Sequence, residues 1–117
     1  MLPQNMSRIV AWLALAVIIV LSLVPPSGRP TTFVPHKLEH AGIFFMDGVA
    51  FAVAYRGYEW LWSIGAVIFC AAIELAQLMI PGRHARLSDF LVDATAICVG
   101  IFAGSTLTRM IRYDWKR

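Results

Sequence analysis

The sequence predicts an all-α protein: a four-helix transmembrane bundle with its N and C termini on the same, cytoplasmic side. Three observations carry that prediction. Of 117 residues, 59% are hydrophobic and only 15% are charged, with mean hydropathy +0.69, whereas a soluble domain carries about 25% charge. The apolar residues gather in four long runs separated by breaks rich in Pro, Gly and Arg. Lys and Arg are shared unevenly between the two sets of loops that those runs define. The length admits one domain, residues 1–117, with loops too short to fold alone.

The first run, Arg8 followed by Ile9–Val24, begins like a signal peptide. The stretch Ser22-Leu-Val-Pro25-Pro26 lacks a small-x-small cleavage pattern, however. We therefore expect an uncleaved transmembrane helix over about 8–24, ended by the proline pair. Residues 25–36 are turn and extended material. Pro35 can occupy the first turn of a second helix over about 36–55, where its missing N–H costs nothing. Lys37, His40, Phe44, Asp47 and Phe51 form one stripe of that helix, at spacings of three and four.

Arg56-Gly57-Tyr58-Glu59 reads as a tight turn, with Tyr55, Tyr58, Trp60 and Trp62 as an aromatic belt at one membrane surface. A third helix is expected over about 60–80, ended by Pro81-Gly82. Ser88 or Asp89 can cap a fourth over about 88–111. Small residues at Ala96, Gly100, Ala103 and Gly104 let that helix approach a neighbour closely, which favours packing inside the bundle. Cys70 and Cys98 fall deep in separate runs and read as small buried hydrophobes, away from the level of the polar residues.

Four spans place both termini on one side. That side, with the second loop, holds six cations (Arg8, Arg56, Arg109, Arg112, Lys116, Arg117) against four on the other (Arg29, Lys37, Arg83, Arg86). The bias favours cytoplasmic termini, so the first and third loops face outward. Net charge of +3 thus reflects topology. No basic stripe interleaves with aromatics on a soluble face, and nucleic acid is not an expected partner.

The stretch from Glu74 to Asp93 carries most of the chemistry. Glu74 and Gln77 share a helix face, Arg83 and Arg86 make a basic turn, and Asp89 and Asp93 lie one turn apart. With a rise of about 1.5 Å per residue, His40, Glu74, Gln77 and Asp93 fall roughly 5–10 Å inside the outward ends of their helices. Lys37, Arg83, Arg86 and Asp89 sit at the rim, and Asp47 lies about 15 Å down. A carboxylate inside a span costs roughly 2.5–3.5 kcal/mol on insertion scales and needs a partner. Arg86 and Lys37 are the expected partners of Glu74.

In their order and spacing these residues resemble the VanZ-like family of small bacterial membrane proteins. The resemblance rests on Lys37-x-x-His40, Glu74-x-x-Gln77, Arg83-x-x-Arg86-x-x-Asp89 and the pair Gly100 and Gly104, and spans residues from about 8 to 108. Asp93 stands where the family commonly has Asn, and Ala96 where Gly is common. The resemblance implies a multi-pass protein of the bacterial cytoplasmic (inner) membrane. The family is named for a member that accompanies glycopeptide (teicoplanin) resistance, and it has no generally agreed activity.

The cluster Lys37, His40, Glu74, Gln77, Arg83, Arg86, Asp89 and Asp93 admits several readings. It can be an ion-pair network that fixes helix register. It can bind an anionic headgroup or a lipid-linked sugar, since arginine offers phosphate a bidentate fork. It can be catalytic, with His40 as base and Glu74 or Asp93 as acid, though no nucleophile accompanies them. His36 and His40 have the spacing of a metal-ligand pair, with His84 or Asp89 as a third, but the neighbouring cations oppose a metal. We expect a non-enzymatic protein without cofactor or metal. It is either an accessory subunit of a larger membrane complex, such as a respiratory or photosynthetic one, or an envelope-ligand binder. The alternatives are a small membrane enzyme acting on a lipid-linked or phosphorylated envelope substrate, and a teicoplanin-resistance factor.

Overall fold

Four helices follow one another: α1 (Gln4–Leu23), α2 (His36–Ala54), α3 (Glu59–Gln77) and α4 (Leu87–Trp115). The computed structural model describes residues 3–23, 36–80 and 87–115, with the side chains of 36, 37 and 113–115 excepted. The described residues include no strand. Three of the helices, α1, α3 and α4, are long and apolar enough to cross a membrane. The second helix is the exception, because Lys37, Glu39 and Asp47 interrupt its apolar run.

The helices alternate in direction, as their contacts show. Trp12, near the middle of α1, meets Phe51 and Trp62, while Ser22 near its end meets Gln77 at the end of α3. Helix α2 therefore runs against α1, and α3 runs with α1. His40 faces Asp93, and Gly48 faces Ile97 and Ile101, so α2 and α4 run in parallel. The result is a rod of 55 × 24 × 24 Å.

The helix α1 begins after Pro3, whose carbonyl accepts from the Ser7 amide at 3.0 Å. Its inward face is Ser7, Ala11, Ile18 and Ser22, a stripe at spacings of four and seven. Ile9, Leu13, Val17 and Val20 point outward and are exposed.

Although charges interrupt its apolar run, α2 touches each of the other three helices, as α3 also does, and its interface with α4 is the largest in the fold. Glycine makes that interface. A Cβ on Gly48 would lie 2.9 Å from the Ile101 amide nitrogen and 3.1 Å from Gly100 Cα. A Cβ on Gly104 would lie 2.9 Å from the Val49 carbonyl oxygen. The two backbones touch, a closeness that small residues allow. The small residues of α4 thus pack inside the bundle, as expected.

The α2–α3 turn needs Gly57, whose φ of 88° is the left-handed conformation that glycine adopts without strain. Glu59 ties this turn to α4. Its Oε1 accepts from the Gly57 amide at 3.3 Å and from Ser105 Oγ at 2.9 Å, and Arg109 stands 3.8 Å away.

Several boundaries differ from expectation. Helix α1 starts at Gln4, earlier than Arg8. Helix α3 stops at Gln77 and tightens into i→i+3 bonds from Leu78, Met79 and Ile80, because the residue before a proline is pushed out of the α region. Helix α4 begins at Leu87, so Ser88 and Asp89 lie inside its first turn and do not cap it. It also continues past Ile111 to Trp115, since nothing between those positions breaks a helix. The expected aromatic belt is split. Tyr58 and Trp60 are exposed, but Trp62 turns inward, with centroids 4.7 Å from Tyr55 and 5.0 Å from Phe51.

Candidate functional site

Residues from all four helices meet at the end of the bundle opposite the α2–α3 turn. The last carbonyls of a helix have no donor within it, and that of Ser22 is supplied from outside. Gln77, the last residue of α3, donates from Nε2 to Ser22 O at 3.0 Å in a buried setting. Beside it, His40 Nδ1 of α2 stands 3.6 Å from Asp93 Oδ1 of α4. This is too long for a hydrogen bond, yet close enough for strong attraction when the imidazole carries a proton. The His40 ring also lies over Phe44, one turn along α2, with centroids 6.1 Å apart and planes 23° from parallel.

Glu74 completes the group. Glu74, Gln77 and Asp93 are 9%, 6% and 4% exposed, so two carboxyls and an amide lie within the bundle. Asp93 Oδ1 has no hydrogen-bond partner among the described residues. Cys70 is buried one turn before Glu74 on the same face of α3. The expectation that both cysteines stand apart from the polar level is therefore corrected for Cys70. Its position at i−4 from Glu74 was a readable sign.

Asp89 is half-buried in the first turn of α4, one turn beyond Asp93 toward the end of the rod. A carboxylate there is favoured by the partial positive charge of the helix N-terminus. Lys37, Arg83 and Arg86 lie outside the residues whose side chains are described, as do the expected pairs of Glu74 with Arg86 and Lys37. His36 and His84, the remaining members of the metal reading, also lie outside them. Among the described residues no group of three His, Cys, Asp or Glu side chains is placed to hold a metal ion.

Seven residues along α2 from His40, on the same face, Asp47 is 1% exposed. Neither of its oxygens has a hydrogen-bond partner among the described residues. Three contributors were not visible in the sequence. Ser22 acts through its backbone carbonyl, which no side-chain pattern reports. Trp12 lies within an apolar run, yet its Nε1 donates to Tyr55 Oη at 2.8 Å. Gly48 stands alone in its helix, and a lone glycine carries no partner label.

The site combines an imidazole–carboxylate pair that can hold a proton, a second buried carboxyl, and an amide committed to tying α1 to α3. No family model, curated protein or solved structure matches this chain.

Proposed function

We propose that this chain is a non-enzymatic, four-span protein of the VanZ-like type in the bacterial inner membrane, with cytoplasmic termini. Its outward end binds an anionic, lipid-linked envelope ligand. Helix α2 is the fourth span, with Asp47 turned away from lipid. The observation that carries this reading is the convergence of His40, Glu74, Gln77 and Asp93 at one end of the bundle. Buried groups of this kind fix helix register. By doing so they present Lys37, Arg83 and Arg86, which the sequence places at the rim, to headgroups at a defined spacing. Cations at that level suit phosphate.

Phosphatidylcholine nanodiscs doped with dodecyl phosphate test the proposal. The wild-type protein binds the phosphate saturably, and Arg83→Ala combined with Arg86→Ala weakens binding while the helical content is unchanged. Equal binding by the double variant refutes it.

A second reading, that of an accessory subunit, is favoured by one surface. A shallow apolar groove of about 520 Å³ runs along α2 and α4, with Phe45 and Thr95 among the residues lining it. It has the shape to receive a helix of a larger complex. Native-gel migration after gentle extraction decides: migration as a free small protein argues against this reading.

A further inference from the structure

Between the polar end and the α2–α3 turn, the bundle encloses a cavity of about 280 Å³. Aromatic side chains from three helices line it, Trp12 from α1, Phe51 from α2, and Trp62 and Phe69 from α3, and the one ionisable group in its wall is Asp47. The side chain of Asp47 is buried, and both oxygens lack a hydrogen-bond partner among the described residues. On the far side, α1 and α3 make little contact with each other. Trp12 and Gly65 at that gap are exposed, and a Cβ on Gly65 would meet nothing within 4 Å. The cavity therefore opens laterally, toward the lipid side of the bundle.

We propose that this cavity binds a lipophilic primary ammonium ion, with the nitrogen on Asp47 and an apolar body among the aromatic rings. Each feature of the wall selects part of that ligand. Two acceptor oxygens without donors require N–H groups, and a quaternary ammonium has none. Aromatic faces attract a cation through their quadrupoles, most strongly where water is excluded. A water molecule would fill the space poorly, because it needs two to four polar partners and the wall offers one carboxyl. A purely apolar guest would leave Asp47 unsatisfied, at the cost of an unpaired polar group. Cavities about half this size already admit a benzene ring, so a single ring with a short ammonium chain fits. The lateral gap admits such a molecule from the hydrocarbon, independently of the outward polar end.

The probe is phenylbutylamine, titrated into the full-length protein in phosphatidylcholine nanodiscs with tryptophan fluorescence as the readout, because Trp12 and Trp62 line the cavity. Phenylbutanol serves as the neutral analogue of equal length. The wild type is expected to bind the amine saturably, and more tightly than the alcohol by about tenfold or more, the worth of a charge-assisted hydrogen bond. Asp47→Asn should reduce amine affinity by a similar factor and leave the alcohol unaffected. Gly65→Leu places a side chain in the open gap without touching backbone and should abolish binding of both probes, with the circular dichroism spectrum unchanged. If Asp47→Asn does not fold, Gly65→Leu decides alone. Non-saturable partitioning into the wild type, equal affinity for amine and alcohol, or wild-type binding by Gly65→Leu overturns the proposal.

Discussion

Replacing Gly100 by alanine should drive α2 and α4 apart, and the size of the effect follows from the contact between their backbones. A Cβ built on Gly100 would lie 2.9 Å from the carbonyl carbon of Phe45 and 3.1 Å from its Cα, with the carbonyl oxygen closer still. Carbon atoms rest at about 3.5–4.0 Å, so the carbon contacts alone require the helices to part by roughly 0.6–1.1 Å, and the closer oxygen requires more. No side-chain rotation relieves the clash, because every nearest atom belongs to a helix backbone. Overpacking of this kind costs about 1–3 kcal/mol. Alanine recovers about 0.5–1 kcal/mol through its better helix propensity, which leaves a net loss of roughly 0–2.5 kcal/mol, about 1.2 at mid-range. Gly42→Ala supplies the control: a Cβ there meets nothing within 4 Å, so only the propensity gain of about 0.5–1 kcal/mol remains. Unfolding by dodecyl sulfate in mixed micelles, followed by circular dichroism, reads both variants. Opposite signs are expected. A Gly100→Ala protein at least as stable as the wild type would refute a seam of direct backbone contact. Gly48→Ala should cost much less in the Gly100→Ala background than alone, because the first substitution has already opened the gap.

Three further outcomes follow from the polar contacts. Gln77→Leu removes the bond to Ser22 O and should destabilise the bundle by about 0.6–1.7 kcal/mol, the range for hydrogen bonds between membrane helices, in the same unfolding assay. A double-mutant cycle of His40→Ala and Asp93→Ala should give a coupling of about 0.5 kcal/mol or more, whereas strictly additive losses would mean that the pair at 3.6 Å is incidental. Trp12→Phe keeps an aromatic ring against Phe51 but loses the bond to Tyr55 Oη, so it should cost about 0.6–1.7 kcal/mol; hydrogen exchange at the turn end should rise with it.

The helices themselves were legible because lipid-length apolar runs bounded by Pro, Gly and charge admit little else. The seam was half legible. Gly100 and Gly104 advertise a close approach, but nothing in the sequence names Gly48 as the residue opposite, since that depends on how α2 and α4 align. Trp62 was misplaced for a similar reason: a tryptophan near a helix end suits an interface, and only the arrival of Trp12 and Phe51 from other helices makes an inward pocket for it. The depths of His40, Glu74, Gln77 and Asp93 followed from helix rise alone. Their partners did not, because a helix supplies a level and a face, while the group opposite is a property of packing.

The charge-interrupted helix α2 carries the largest interface of this bundle, and its placement connects the seam, the two polar ends and the cavity. Helices in lipid associate through close packing and polar contacts. The parallel pair α2 and α4 has both: glycines along its middle and His40 against Asp93 at one end. Glu59 with Ser105 fastens α3 to α4 at the other end, and Gln77 with Ser22 fastens α3 to α1. Between these levels α1 and α3 make few contacts, and Gly65 of α3 faces open space. A gap on that side is what the distribution of contacts requires. Asp47 is turned inward on α2 and lies in the wall of the cavity, an orientation that would keep its carboxyl from lipid in a membrane. The Asp47 carboxyl without a hydrogen-bond partner among the described residues and the cavity beside it are thus two results of one arrangement.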